Sequence, residues 1–374
     1  MFNPLQDPVD ATVVRRVLVT KLRHHGDVLL ASPVFTVLKH ALPAAEIDAL
    51  VYRETAPMLE GHPAIAELHG IDREWKRQGW LAQATAERRL LRGLAARRYD
   101  LIVHLTEHPR GAWLARLLKP RYAVARHLDD AHWFWRKSFT HYYRLPRTTP
   151  RHTVECNLDA LRRIGLQPLP EDRQLVLCPD DKSAARVRNL LAQQGLEPHR
   201  FIQMHPGSRW LFKCWPPEHS AALLDRLTAA GLRIAVTGAP DARERELVEA
   251  ILTACASASR SRIIDLTGAL SLRELAALTR EARAFVGVDS APMHIAAAMG
   301  TPVVALFGPS GETEWGPWGV INRVIASAAH PCRPCGIDGC GGGKISECLT
   351  TLPVDRVHAA LTEILAATEP RGAA

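Results

Sequence analysis

The chain has 374 residues, 47% hydrophobic and 23% charged, the balance of a globular protein with room for two ordinary domains. Asp7, Asp10, Arg15 and Arg16 break up the apolar residues near the start, which argues against a secretory signal. No stretch approaches the roughly 18–20 apolar residues of a membrane span, so a cytosolic protein with at most peripheral membrane attachment is expected.

The net charge of +8 lies in the first half: residues 1–170 hold 26 Lys and Arg against 17 Asp and Glu, and residues 171–374 hold 21 against 22. Net charge governs attraction of partners rather than fold. The bias therefore predicts an anionic partner for the first half, whether a phosphorylated substrate, an acidic membrane surface or nucleic acid.

Apolar runs predict strands over 15–20, 46–52 and 100–105. Helical spacing predicts helices over 28–41, 80–98 and 152–165, the last with Val154, Leu158, Leu161 and Ile164 on one face. Segment 106–150 mixes Arg110, Arg116, Lys119, Arg121, Arg126, Arg136 and Lys137 with Trp113, Trp133, Phe134 and Trp135. It is expected either as a loop-rich flap over a cleft or as ordinary packed surface. The proline-rich stretch 165–170 reads as the start of a linker, dividing the chain into domains 1–172 and 173–353.

In the second half, strands are predicted over 201–204, 233–237, 262–265, 284–288 and 302–307, alternating with helices over 217–230, 241–256, 271–281 and 290–299. Such alternation predicts an α/β protein with parallel sheets and right-handed crossovers. The final helix, 354–367, is open to either domain, including packing back on the first. A small low-complexity tail follows Glu369.

Two glycine-marked junctions follow apolar strands: Lys21-Leu22-Arg23-His24-His25-Gly26-Asp27, and Gly287-Val288-Asp289-Ser290-Ala291-Pro292-Met293-His294. Ligands of open α/β sheets bind at the carboxyl ends of strands, where helix N-termini present free N–H groups. Two such junctions predict two Rossmann-like domains facing a central cleft. Asp27 reads either as the N-cap of a helix starting at Val28 or as a general base for an acceptor hydroxyl. Arg23, His24 and His25 beside it can tune that carboxylate or hold acceptor phosphates.

His205-Pro206-Gly207-Ser208-Arg209 follows another strand, and Lys213 precedes the next helix. Gly207 lets backbone approach a ligand, Ser208 and Arg209 donate to an anion, and Lys213 offers a mobile charge for a diphosphate. A plain turn with a surface lysine fits the same residues. At the second junction, Asp289, Ser290, Ala291 and His294 read either as a well-capped helix start or as a nest for phosphates and sugar hydroxyls. The loop 308–316 leaves a strand toward the same edge.

Cys156, Cys178, Cys214 and Cys255 are scattered, whereas Cys332, Cys335, Cys340 and Cys348 crowd into a glycine-rich loop. These four could hold a structural zinc or an iron–sulfur cluster, or remain free thiols. A reducing compartment disfavours disulfides.

Through these junctions the chain resembles the ADP-heptose:lipopolysaccharide heptosyltransferases, glycosyltransferases of the GT-B fold, over nearly its whole length. The segments Lys21–Leu30, His205–Ser208 with Lys213, and Gly287–His294 look like the family's motifs. The loop 332–348, with Cys340-Gly341-Gly342-Gly343-Lys344, looks like the subgroup called heptosyltransferase III. The resemblance implies inverting transfer of heptose from ADP-heptose to the phosphorylated inner core of lipopolysaccharide, at the cytoplasmic face of the inner membrane, with no cofactor required for catalysis.

By the same resemblance, Asp27 matches the base and Lys213 the lysine that neutralises the diphosphate. Ser208, Asp289, Ser290 and His294 match donor-site positions, with Gly207, Arg209 and Ala291 beside them. Many relatives have threonine and glycine where this chain has Ser290-Ala291, so the side chain of Ala291 narrows backbone access there. The donor-ribose carboxylate falls to Asp241 or Glu244. Acceptor contacts are expected from Arg23, His24, His25, Arg53, Arg110 and Arg136.

Three other readings compete. One is a related enzyme using another nucleotide sugar or another acceptor, including heptosyltransferases I and II and protein-directed enzymes. The second is a nucleic-acid-binding protein, prompted by the isoelectric point near 9.2 but carrying no RNA-binding, zinc-finger or helix-turn-helix signature. The third is a silent scaffold, which intact Asp27 and Lys213 oppose.

Overall fold

A computed structural model describes residues 7–146 and 148–368. The tail after Glu369 lies outside them. The chain divides into two units, 1–178 and 179–374. The proline-rich stretch 165–170 falls within the first unit, where Arg173 donates to the Pro168 carbonyl at 3.1 Å.

The first unit is a six-stranded parallel sheet: β1 (Arg16–Thr20), β2 (Glu46–Tyr52), β3 (Glu67–Ile71), β4 (Leu101–His104), β5 (Tyr122–Arg126) and β6 (His141–Tyr143), in the order β3-β2-β1-β4-β5-β6. β1, β2 and β4 are almost wholly buried, as parallel strands covered on both faces must be. The order reverses between β1 and β4, which pair in parallel from Val17 with Leu101 to Thr20 with His104.

Two expectations need correction. The helix predicted over 28–41 is two helices, His25–Leu29 and Ser32–Ala41. Pro33 enters the second at its start, where a missing N–H is harmless, and it disfavours continuing the first through it. Segment 106–150 is no loop-rich flap. It supplies helix Arg110–Leu118 and strands β5 and β6, which finish the sheet. Trp135 and Phe139 anchor it in the core beneath Ala123 and Ala125.

The second unit repeats the topology: β7 (Phe201–His205), β8 (Arg233–Val236), β9 (Ile263–Asp265), β10 (Ala284–Val288), β11 (Val303–Phe307) and β12 (Asn322–Ala326), in the order β12-β11-β10-β7-β8-β9. Its switch point lies between β7 and β10. Helix Asp181–Gln193, which the sequence did not flag, opens with the Asp180 side chain accepting from Ser183 N–H at 2.6 Å. The C-terminal helix Val354–Ala367 packs on β10, β11, β12 and helix Pro217–Ala229 of this second unit. Among the described residues no helix is long and apolar enough to cross a membrane.

Candidate active site

In the first unit the chain leaves β1 at Thr20 and turns into helix His25–Leu29. Lys21 is buried beneath that turn, its Nζ donating to the Leu105 carbonyl at 3.2 Å and to Asn157 Oδ1 at 2.9 Å. Asn157 Nδ2 donates onward to the Leu30 carbonyl at 3.0 Å, and Leu22 N–H to Thr106 Oγ1 at 3.0 Å. One ammonium and one amide thus tie the ends of β1 and β4 to helix Thr153–Arg163 and to the turn after His25–Leu29. Burial pushes the Lys21 ammonium down to about 8, against the pull of the Asp27 carboxylate.

His104, at the end of β4, is fully buried and accepts from the Thr20 hydroxyl at Nδ1 while donating from Nε2 to the His108 carbonyl at 3.2 Å. Burial holds it neutral, down to about 3. The sequence reading missed Lys21, His104 and Asn157 as site elements, because their partners are 84–136 residues away.

Asp27 is not an N-cap. It is the third residue of His25–Leu29, and His24, at the cap position, makes no side-chain cap bond. The Asp27 side chain is 17% exposed, and its nearest cation is Arg23, 4.0 Å away and itself 56% exposed. A carboxylate partly open and loosely paired can accept a proton from a substrate hydroxyl.

The other basic candidates of this unit are spread. His25 Nε2 donates to the Glu54 carbonyl at 2.8 Å, and Arg53 lies 3.7 Å from Asp72. Arg136 donates to the Ala131 carbonyl at 2.7 Å. Arg110 is committed to a two-pronged bond with Glu87, both arms 2.7 Å, so as it stands its charge is already answered.

In the second unit β7 ends at His205, and Pro206, Gly207 and Ser208 run on buried. A Cβ on Gly207 would come 2.5 Å from Glu244 Oε2, and one on Gly287 would come 2.7 Å from the His205 carbonyl. At Gly287 backbone bars any side chain, and at Gly207 the Glu244 carboxylate would have to give way. Glu244 is buried, its Oε2 accepting from Ala239 N–H at 2.7 Å with His205 Nε2 at 3.4 Å. Burial alone would raise its pKa; the hydrogen bond and charge of His205 outweigh that and leave it below the usual carboxylate range. Asp241 instead caps helix Ala242–Ala254, accepting from Arg243 and Glu244 N–H groups. Of the two ribose candidates, only Glu244 reaches the loop after β7.

Lys213 Nζ meets Asp289 Oδ2 at 2.6 Å, with side-chain exposures of 22% and 8%. Asp289 follows β10 and leads to helix Ala291–Ala298. Ser290 is the cap residue but makes no cap bond, and its buried Oγ has no hydrogen-bond partner among the described residues. His294 is buried one turn in, and Arg209 is exposed with its guanidinium 5.4 Å from the Trp210 ring. The loop after β11 is stitched to the cysteine segment by Arg333, which donates to the Gly308 carbonyl at 2.6 Å and to Glu312 at 3.0 Å.

Cys332, Cys335 and Cys340 are exposed, Cys348 is buried, and among the described residues no three of the sulfurs converge to ligating distance. Asp48, Glu67 and His69 do converge, but the guanidinium of Arg97 fills that place, 2.8 Å from Asp48 and 3.2 Å from Glu67.

A family model described as glycosyltransferase family 9 (heptosyltransferase) matches residues 87–345. Lipopolysaccharide heptosyltransferase 3 of Escherichia coli is 36% identical over 81% of this chain and 86% of its own. A solved glycosyl transferase family 9 structure from Veillonella parvula superposes with a TM-score of 0.80 at 24% identity, covering 95% of this chain and 98% of that one. E. coli heptosyltransferase WaaC with ADP does so at 0.69 and 20% identity, covering 93% and 99%. With its paired Rossmann-like sheets of the GT-B type, the chain belongs to glycosyltransferase family 9, the heptosyltransferases.

Proposed function

We propose that this glycosyltransferase moves L-glycero-D-manno-heptose from ADP-heptose onto the inner core of lipopolysaccharide, as the third heptose placed on the second. The observation that carries this reading is the 36% identity to an enzyme named lipopolysaccharide heptosyltransferase 3, against 24–27% for relatives named heptosyltransferase 1 or 2.

The chemistry is an inverting displacement. The acceptor hydroxyl attacks the anomeric carbon, its proton passes to the Asp27 carboxylate, and the bond to the diphosphate breaks with its electron pair leaving on ADP. Negative charge grows on the leaving diphosphate, so cations aimed at it stabilise the transition state more than the ground state. Lys213, Ser208 and Arg209 supply that charge and those donors, with the N-terminus of helix Ala291–Ala298. Ser290 Oγ and His294 serve the donor as well, and Glu244, beside Gly207, receives the ribose hydroxyls.

Arg23, His24, His25, Arg53 and Arg136 are the cations offered to acceptor phosphates; Arg110 joins them only by releasing Glu87. The acceptor is lipid-anchored, so the working position is peripheral, at the cytoplasmic face of the inner membrane. The basic first half suits that surface.

Mass spectrometry of lipopolysaccharide from a strain lacking the protein tests the assignment: a core shorter by one heptose is expected, and an unchanged core ends it. Turnover should survive EDTA; a loss restored by a divalent ion would mean a metal takes part. For the cysteines, elemental analysis of anaerobically purified protein decides between a structural zinc or iron–sulfur cluster and free thiols. A full complement of either would require the loop to close around it.

A further inference from the structure

Helix Arg110–Leu118 is apolar on two sides. Gly111, Ala112, Leu114 and Ala115 face the core, as expected for a helix covering a sheet. Yet Trp113 and Leu117, one turn apart on another side, are 56% and 53% exposed. Trp133, on the short helix Trp133–Arg136, is 58% exposed. Phe134 joins the two tryptophans, its ring centroid 4.6 Å from Trp113 and 5.9 Å from Trp133. A continuous aromatic patch of this kind on a charged protein marks an interaction surface.

Its border is cationic. Residues 110–137 carry seven Lys and Arg against two Asp. Arg110 and Arg126 answer Glu87 and Glu107, and the other five have no acidic partner among the described residues. The Arg116 guanidinium lies 4.5 Å from the Phe134 ring centroid, fixed by donation to Ser138 Oγ at 2.8 Å. The neighbouring helix Trp80–Arg97, tied on by Glu87, adds exposed Arg88, Arg89 and Arg92.

We propose that the Trp113–Leu117–Trp133 patch is the surface by which the protein rests on an anionic phospholipid bilayer. Indole rings favour the headgroup region, with an apolar body and a polar N–H, and a ring of Lys and Arg is drawn to anionic lipid. A second copy of the chain fits poorly, because it would bring two cationic borders face to face. The proposal rests on the peripheral membrane reading given above and names the face that makes the contact.

The test is co-sedimentation of the full chain with vesicles of phosphatidylethanolamine and phosphatidylglycerol, and with phosphatidylcholine alone. Wild type should bind the anionic vesicles, release them in high salt and ignore the neutral ones. Trp113→Ser with Trp133→Ser, and separately Lys119→Glu with Lys137→Glu, should each weaken binding by about tenfold or more. Both should keep turnover on a soluble deacylated acceptor. Should the tryptophan variant misfold, the lysine variant still decides.

Undiminished vesicle binding by both variants would overturn this surface while leaving the membrane reading intact. No binding by wild type to any vesicle would overturn both. Dimers of wild type that become monomers in the tryptophan variant would assign the patch to a second copy instead.

Discussion

At the end of β1 the first unit buries an ammonium, Lys21, against two neutral oxygens; at the end of β10 the second unit buries a carboxylate, Asp289, against an ammonium. The two sheets share one strand order, in which β1 corresponds to β7 and β4 to β10, so the two junctions flank the switch point on opposite sides. Topology brings strand ends and helix starts to each switch point, and local residues decide what charge each place offers. The first unit spends its buried polar groups on holding a turn and leaves Asp27 loosely paired. The second arrives with its functional charges already matched, Lys213 with Asp289 and Glu244 beside His205.

The sharpest way to break this contrast is Asp27→Ala. If the carboxylate is held for chemistry rather than for folding, turnover should fall by about 10²–10⁴-fold while the thermal melt and ADP affinity stay put. Near-full turnover in the variant would remove Asp27 as base.

Lys213→Ala tests the opposite claim, that the second unit's cation also supports the fold. It should strip the partner from buried Asp289, lower stability by about 1–3 kcal/mol in chemical denaturation and weaken ADP binding. Unchanged stability and unchanged affinity together would mean the pair does neither.

Gly207→Ala should cost about 1–3 kcal/mol, because the new methyl overlaps the Glu244 carboxylate, and it should depress ADP affinity. A fully stable variant with normal ADP affinity would show that this contact yields easily.

The last test concerns Lys21. Its ammonium binds a proton less tightly folded, about 8, than unfolded, 10.5, so the unfolded chain holds more protons between those values. Stability contributed by this group is therefore lowest below about pH 8 and should rise toward pH 10.5. Urea titrations across that window, with Lys21→Met as reference, should show the rise only in wild type. A parallel trend in both would assign it to other groups.

What could be read from residues alone followed from how local the cause was. β2 and β10 match their predicted bounds because Glu46–Tyr52 and Ala284–Val288 are short apolar runs with clear ends. β5 escaped notice because Tyr-Ala-Val-Ala-Arg is brief and lies amid arginines, and its burial comes from Trp135 and Phe139 folding over it. β12, Asn322–Ala326, carries Arg323 and is only partly covered, so alternation was too weak to see.

The candidate site followed the same rule. Gly26-Asp27 and Asp289-Ser290 announce helix starts within a few residues, so both junctions were visible. That Asp27 is not a cap depends on where the helix begins, one of the least certain features in a sequence. The union of Lys21 with Asn157, and of Lys213 with Asp289, arises only once distant segments are brought together by the sheet.

If Lys213 takes the donor's pyrophosphate as proposed, its pairing with Asp289 makes nucleotide uptake a swap. An incoming pyrophosphate must outbid a resident carboxylate for the same ammonium, so much of the raw attraction is spent before any net affinity appears. The return swap would ease departure, because Asp289, the partner of this cation at 2.6 Å, takes it back as the spent nucleotide loosens. A site wired as proposed would favour release of product over tight retention.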